Sequence, residues 1–177
     1  MRIRGRERVE LPLEEVWRRI NDPEVLRRCT PGLETLEQTR PDHFEAVLVL
    51  ELPAIKGRFA GSVDYLERSA PARLRLRLQG KGPIGFVRGE ATLELRAEHQ
   101  ATQVHYIADV QLGGQIARLG QRMISGMVKE MAGQFFEALG GSAGAQGAPP
   151  GAPPAPRALL RLAWRTILNL LGLSRRS

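Results

Sequence analysis

The segment Arg73-Leu74-Arg75-Leu76-Arg77-Leu78-Gln79 alternates leucine with a polar side chain without exception. Successive side chains of a strand point to opposite faces, so this run has one dry and one wet face and reads as a half-buried strand. From residue 33 onward, weaker alternation runs through Phe44–Leu52, Phe59–Leu66, Val87–Leu95 and Val104–Leu112. The breaks fall at Pro53, Ser69-Ala70-Pro71, Gly80-Lys81-Gly82-Pro83 and Glu98-His99-Gln100. Breaks this short leave no room for crossover helices, so the strands must form an antiparallel meander.

Helical segments flank the meander. Residues 2–11 alternate loosely as a further strand. Pro12-Leu13-Glu14-Glu15-Val16-Trp17-Arg18-Arg19-Ile20 then opens with proline and acids and carries Val16, Trp17 and Ile20 at helical spacing. Asn21-Asp22-Pro23 ends that helix and starts a short one, Glu24 to Cys29, which Thr30-Pro31-Gly32 breaks. After Gly113-Gly114, residues 115–139 return to a period of 3.6. Ile116, Leu119, Met123, Met127, Met131 and Phe135 share one arc, opposite Arg118, Arg122 and Lys129. The pattern predicts one long helix laid against the sheet, an α+β fold. A chain of 177 residues, 42% of them hydrophobic, buries one sizeable core and has no length for a second full domain. That domain is expected over residues 1–139.

Residues 140–156, GGSAGAQGAPPGAPPAP, contain no large apolar side chain and are expected to be a linker. At about 3.1 Å per residue it reaches about 50 Å when extended. In residues 157–177, Arg157, Arg161, Arg165 and Asn169 form one helical stripe. Leu159, Leu160, Ala163, Trp164, Ile167, Leu170 and Leu171 occupy most of the other side, and Leu168 interrupts the polar stripe. A spanning helix needs about 20 predominantly apolar residues, and three arginines interrupt this one. It is expected to lie in the interface of an anionic membrane, with Arg157, Leu160, Arg161, Trp164, Arg165, Ile167 and Leu171 in contact. Arg175 and Arg176 each add about 1 kcal/mol of attraction. The alternative is docking in a protein groove; the lack of any acid in the segment favours the membrane.

Charge follows the same division. The formal net charge is +7, but five arginines follow the last acid, Glu137, and setting them aside leaves +2. A near-neutral domain without stacking aromatics on a basic face argues against nucleic-acid binding. The single cysteine, Cys29, forms no internal disulfide, and Met1-Arg2-Ile3-Arg4-Gly5-Arg6 lacks the apolar core of a signal peptide, so the expected location is cytoplasmic, peripheral on the inner face of the cell membrane.

No catalytic or metal-binding constellation emerges. His43 and His99 fall near expected turns, and His105 alternates out of phase with Tyr106, toward solvent. Cys29 has no base held by a third group beside it. Glu14 and Glu15 suit the positive end of a helix without acid–base work, and Arg73, Arg75 and Arg77 form a ladder on the wet face. Gly80-Lys81-Gly82-Pro83 lacks the helix that a phosphate loop requires, and zinc-ligand spacing is absent.

The order strand, two short helices, strand meander, long helix resembles the helix-grip fold of the START and polyketide-cyclase-like superfamily. Narrower strings are Asn21-Asp22-Pro23 to Pro31-Gly32, Ile55-Lys56-Gly57-Arg58-Phe59-Ala60-Gly61-Ser62-Val63, Gly80-Lys81-Gly82, Gly113-Gly114-Gln115-Ile116-Ala117-Arg118-Leu119-Gly120, and Phe135-Phe136. Together they resemble the family of the G subunit of carbon monoxide dehydrogenase over residues 1–139. The resemblance implies a partner of the molybdenum hydroxylase class, a molybdenum-containing carbon monoxide dehydrogenase or a related enzyme. It further implies that the protein links this enzyme to the membrane and delivers a quinone, hence a part in electron transfer.

A helix-grip sheet leaves a pocket where the helix does not cover its concave face. Alternation nominates Phe44, Leu48, Leu50, Phe59, Val63, Tyr65, Leu74, Leu76, Leu78, Leu93, Tyr106, Ala108 and Val110 as inward-facing. Met123, Met127 and Met131 would supply a deformable helix wall, and Tyr65 and Tyr106 are the candidate polar handles. The expected function is non-enzymatic: binding of a hydrophobic ligand, a menaquinone or ubiquinone, beside the membrane. Two alternatives are a recruitment scaffold without ligand and, by superfamily analogy alone, a small cyclase or hydrolase.

Overall fold

The computed structural model describes residues 1–141. The linker after Gly141 and the basic segment 157–177, with the membrane contacts expected there, lie outside the described residues. Strand β1 spans Arg2–Val9 and is followed by helices α1 (Leu13–Ile20) and α2 (Pro23–Cys29). Strands β2 (Leu33–Arg40), β3 (His43–Glu51), β4 (Lys56–Ser69), β5 (Arg73–Gly82), β6 (Gly85–Glu98) and β7 (Ala101–Gly114) follow in turn. A short 3-10 helix, Gln115–Leu119, leads into α3, Gln121–Gly140.

The seven strands form one antiparallel sheet in the order β1-β7-β6-β5-β4-β3-β2. Six consecutive strands pair with their chain neighbours, as the short breaks require. Helices α1 and α2 carry the chain from β1, at one edge, to β2 at the other.

The helices start where local chemistry favours it. Pro12 precedes α1, with Glu14 and Glu15 in the first turn. The Asp22 carboxylate accepts from the Glu24 and Val25 amides at the start of α2. Arg19, 7% exposed, donates to the carbonyls of Leu139 and Gly141 at 2.7 and 3.2 Å and to Glu15 at 2.6 Å. An arginine of α1 thus satisfies the last carbonyls of α3, whose own final turn holds no base.

Two apolar clusters fill the concave side. One joins Val9, Val16, Ile20, Val25, Leu74, Leu95, Val104, Tyr106, Phe136 and Leu139. The other joins Ile3, Ile55, Val110, Ile116 and Ile124. Helix α3 packs chiefly on β1, α1 and α2. The concave face at β3, β4 and β5 is therefore the less covered half.

Two expectations need correction. Gly80-Lys81-Gly82 is not a break but the end of β5, paired with β6 as far as Gly82–Gly85; the turn is confined to Pro83 and Ile84. The expected long helix is two pieces, because Gly120 sits at φ +79°, ψ 151°, where helical bonding cannot continue.

Candidate functional site

The less covered concave half holds a cavity of about 250 Å³. It is carved by missing side chains. Gly61 on β4 pairs with Gly80 on β5, beside Ala46 on β3 and Val87 on β6, so one row across the sheet carries only small residues at its centre. A Cβ on Gly61 would run into the Gln79 carbonyl oxygen, and one on Gly80 would stand 3.3 Å from Val87 Cγ1. Glycine at these strand positions permits the tight pairing and leaves a hollow on the inner face.

Side chains from the rows on either side form the walls. Leu48, Leu50, Phe59, Val63 and Leu78, all expected from alternation, line the cavity. The Phe59 ring lies over Gly82, where a Cβ would collide with it. Ile55, from the loop before β4, and Ile116, from the 3-10 helix, add further wall. Ser62 and Gln79 pair with each other between the inward pairs Gly61–Gly80 and Val63–Leu78, so their side chains alternate to the opposite face and they meet the cavity through their backbone. No side-chain hydroxyl, amide, imidazole or charge among the described residues lines it.

The other expected residues are placed elsewhere. Phe44, Tyr65, Leu74, Leu76, Leu93, Tyr106, Ala108 and Val110 share the inward face by register but not the cavity. Leu74 and Tyr106 are buried in the first cluster, where Tyr65 and Leu93 pack against it. Val110 belongs to the second cluster, against which Ala108 packs.

The methionine wall is not formed. Met123 is 45% exposed, Met127 packs against the second cluster, Met131 is half-buried, and none of the three lines the cavity. The break at Gly120 restarts the helical phase. The buried face of α3 then runs through Ile124, Phe136 and Leu139, centred about 120° around the helix from the methionines.

Neither phenol points a hydrogen-bonding group into the cavity. The Tyr65 ring meets Phe44 edge-on at 5.7 Å between centroids, and the Arg68 guanidinium stacks 3.9 Å from its centre. Burial raises its pKa, Arg68 lowers it by less, and Asp42 adds a smaller rise. The Tyr106 ring crosses over Gly5, its hydroxyl is buried without a hydrogen-bond partner among the described residues, and desolvation, then Glu7, raises its pKa.

The convex face is wet and ionic. Arg75 and Arg77 both reach Glu90, at 2.7 and 3.2 Å, and Arg2 grips Asp109 at 2.8 Å. His43 Nδ1 lies 2.6 Å from Asp64. Cys29 is buried, and desolvation raises the pKa of its thiol, the reverse of nucleophile activation. Among the described residues, no group of three or more His, Cys, Asp or Glu side chains is placed to hold a metal ion. No described helix is long and apolar enough to cross a membrane.

Sequence reasoning missed Ala46, Ile55, Gly61, Gly80, Val87 and Ile116, together with Ala60, Ser62 and Gln79. The available signal was Gly61 at an inward phase of an alternating run, since glycine inside a strand marks a missing side chain or a close approach.

A curved antiparallel sheet gripping a long helix, with an apolar cavity on the half of its concave face that the helix leaves uncovered, defines the START-like helix-grip class. A START superfamily protein from Mycobacterium smegmatis superposes with a TM-score of 0.61 at 11% identity, over 81% of this chain and 97% of that one. A conserved protein from Geobacillus kaustophilus gives 0.77 at 28% identity, over 81% and 95%. A protein from Thermus thermophilus gives 0.56 at 20% identity, over 77% of this chain and 95% of that one. The chain belongs to the CoxG family, the G subunit of carbon monoxide dehydrogenase, whose model matches residues 5–143. No curated protein matches it.

Proposed function

We propose that this chain is a non-enzymatic accessory protein that takes a quinone, menaquinone or ubiquinone, from the membrane and presents it to a molybdenum-containing carbon monoxide dehydrogenase or a related enzyme. The observation that carries the reading is the cavity itself. A sheet that places Gly61 and Gly80 at its centre keeps a hollow bounded by Leu48, Leu50, Phe59, Val63 and Leu78. Such a surface favours an apolar guest and offers no acid, base or nucleophile for catalysis. Family membership supports the enzyme partner, and the basic amphipathic pattern of residues 157–171 supports attachment to the inner, anionic membrane face.

The test is to purify the full chain from its native membranes, extract it with organic solvent and examine the extract by mass spectrometry. A stoichiometric quinone is expected. Ala46→Leu, which pushes three carbons into the hollow, should leave the fold intact and cut uptake at least about tenfold. A chain that carries no quinone and takes up none when it is added would leave recruitment of the enzyme without a ligand as the surviving function.

A further inference from the structure

We infer that the cavity takes the polyprenyl end of its ligand, tail first, and that the polar head stays outside it. The inference rests on the carrier reading above and concerns how that ligand sits. Three observations carry it.

The lining offers a ligand carbonyl no side-chain donor, since Ser62 and Gln79 contribute backbone only and both amides belong to the paired strands β4 and β5. A quinone head placed there would lose its hydrogen bonds to water and regain none, a loss that outweighs the gain from burying its ring. A branched hydrocarbon has no hydrogen bonds to forfeit on entering.

The volume, about 250 Å³, falls below the ~300–1,000 Å³ of pockets that enclose a whole drug-sized ligand. A long-chain quinone therefore cannot be swallowed entire, and part of it must remain outside. The walls decide which part: Leu48, Leu50, Val63 and Leu78 match the methyl-branched shape of an isoprenoid chain, and only Phe59 presents a flat ring. The two phenols that would be obvious partners for a head group are placed outside the lining, Tyr65 beneath Arg68 and Tyr106 over Gly5. A head left outside remains accessible to a redox partner while the chain serves as the anchor.

Three probes separate head from tail in a titration of the full, delipidated chain: menaquinone-4, menadione (the same head without the chain), and geranylgeraniol (the chain without the head). Each buried methylene is worth about fourfold in affinity, so the chain should dominate. Geranylgeraniol should compete with menaquinone-4 at a Kd within about tenfold, and menadione should bind at least about 100-fold more weakly than menaquinone-4. Menadione at parity with menaquinone-4, or geranylgeraniol failing to compete, would overturn the tail-first inference while menaquinone-4 binding preserved the carrier reading. Failure of all three would overturn both.

Discussion

Arg19 shows how one side chain ties distant parts of the domain together. Its guanidinium is nearly buried between the Glu15 carboxylate and the Leu139 and Gly141 carbonyls. Arg19→Met would strand those carbonyls and one side of Glu15. It is expected to cost about 2–3 kcal/mol, read as a lower urea midpoint at unchanged m. The same cluster sets an acid sensitivity. Hydrogen bonds from Arg18 and then Arg19 hold Glu15 at about 2, below its ordinary 4.5. Because the folded-state value is depressed, this stabilisation is complete above about pH 4.5 and is lost as pH falls through about 2. Glu15→Gln should be less stable near neutrality and should flatten the loss between those limits, measured by denaturation at stepped pH.

At the scale of elements, the glycines around and within α3 differ in what they do. Gly120 has no neighbour within 4 Å of an added Cβ, yet its φ of +79° with ψ of 151° is a region that L side chains avoid. Gly120→Ala should cost about 1–3 kcal/mol from backbone strain alone. Gly126 and Gly133 lie inside the helix with equally open surroundings. Alanine at either should add about 0.5–1 kcal/mol, so thermal melts of the three variants should move in opposite directions. This contrast explains why periodicity overran the break. Alternation is local and marked each strand from β3 to β7, but the spacing of Ile116, Leu119 and Met123 fits one helix as well as two. Only the backbone angle at Gly120 distinguishes them. Gly80 misled in the other direction, resembling a turn glycine until β6 pairs alongside it.

The scale of the whole molecule joins the domain to its basic terminal segment. Reversing Arg157, Arg161 and Arg165 to Glu in the full chain should abolish co-sedimentation with vesicles rich in phosphatidylglycerol. A basic residue near an anionic surface is worth about 1 kcal/mol, so neutralising three would weaken binding on the order of 100-fold and reversing them should weaken it further. An unaltered chain that fails to co-sediment with these vesicles would point to a protein groove as the segment's partner.

The sequence by itself determined the meander from β3 to β7, the order of the helices around it, the inward face of those five strands and the separation of a near-neutral charge pattern from a basic tail. These follow from period, punctuation and charge, which are properties of neighbouring residues. The tertiary structure decided where the hollow lies and which inward residues reach it. Gly61 and Gly80 meet only through the β4–β5 register, and α3 covers one half of the concave face only because its buried stripe, reset at Gly120, seats it against β1. A void is a relation among strands and a helix far apart in the chain, so no local pattern encodes it.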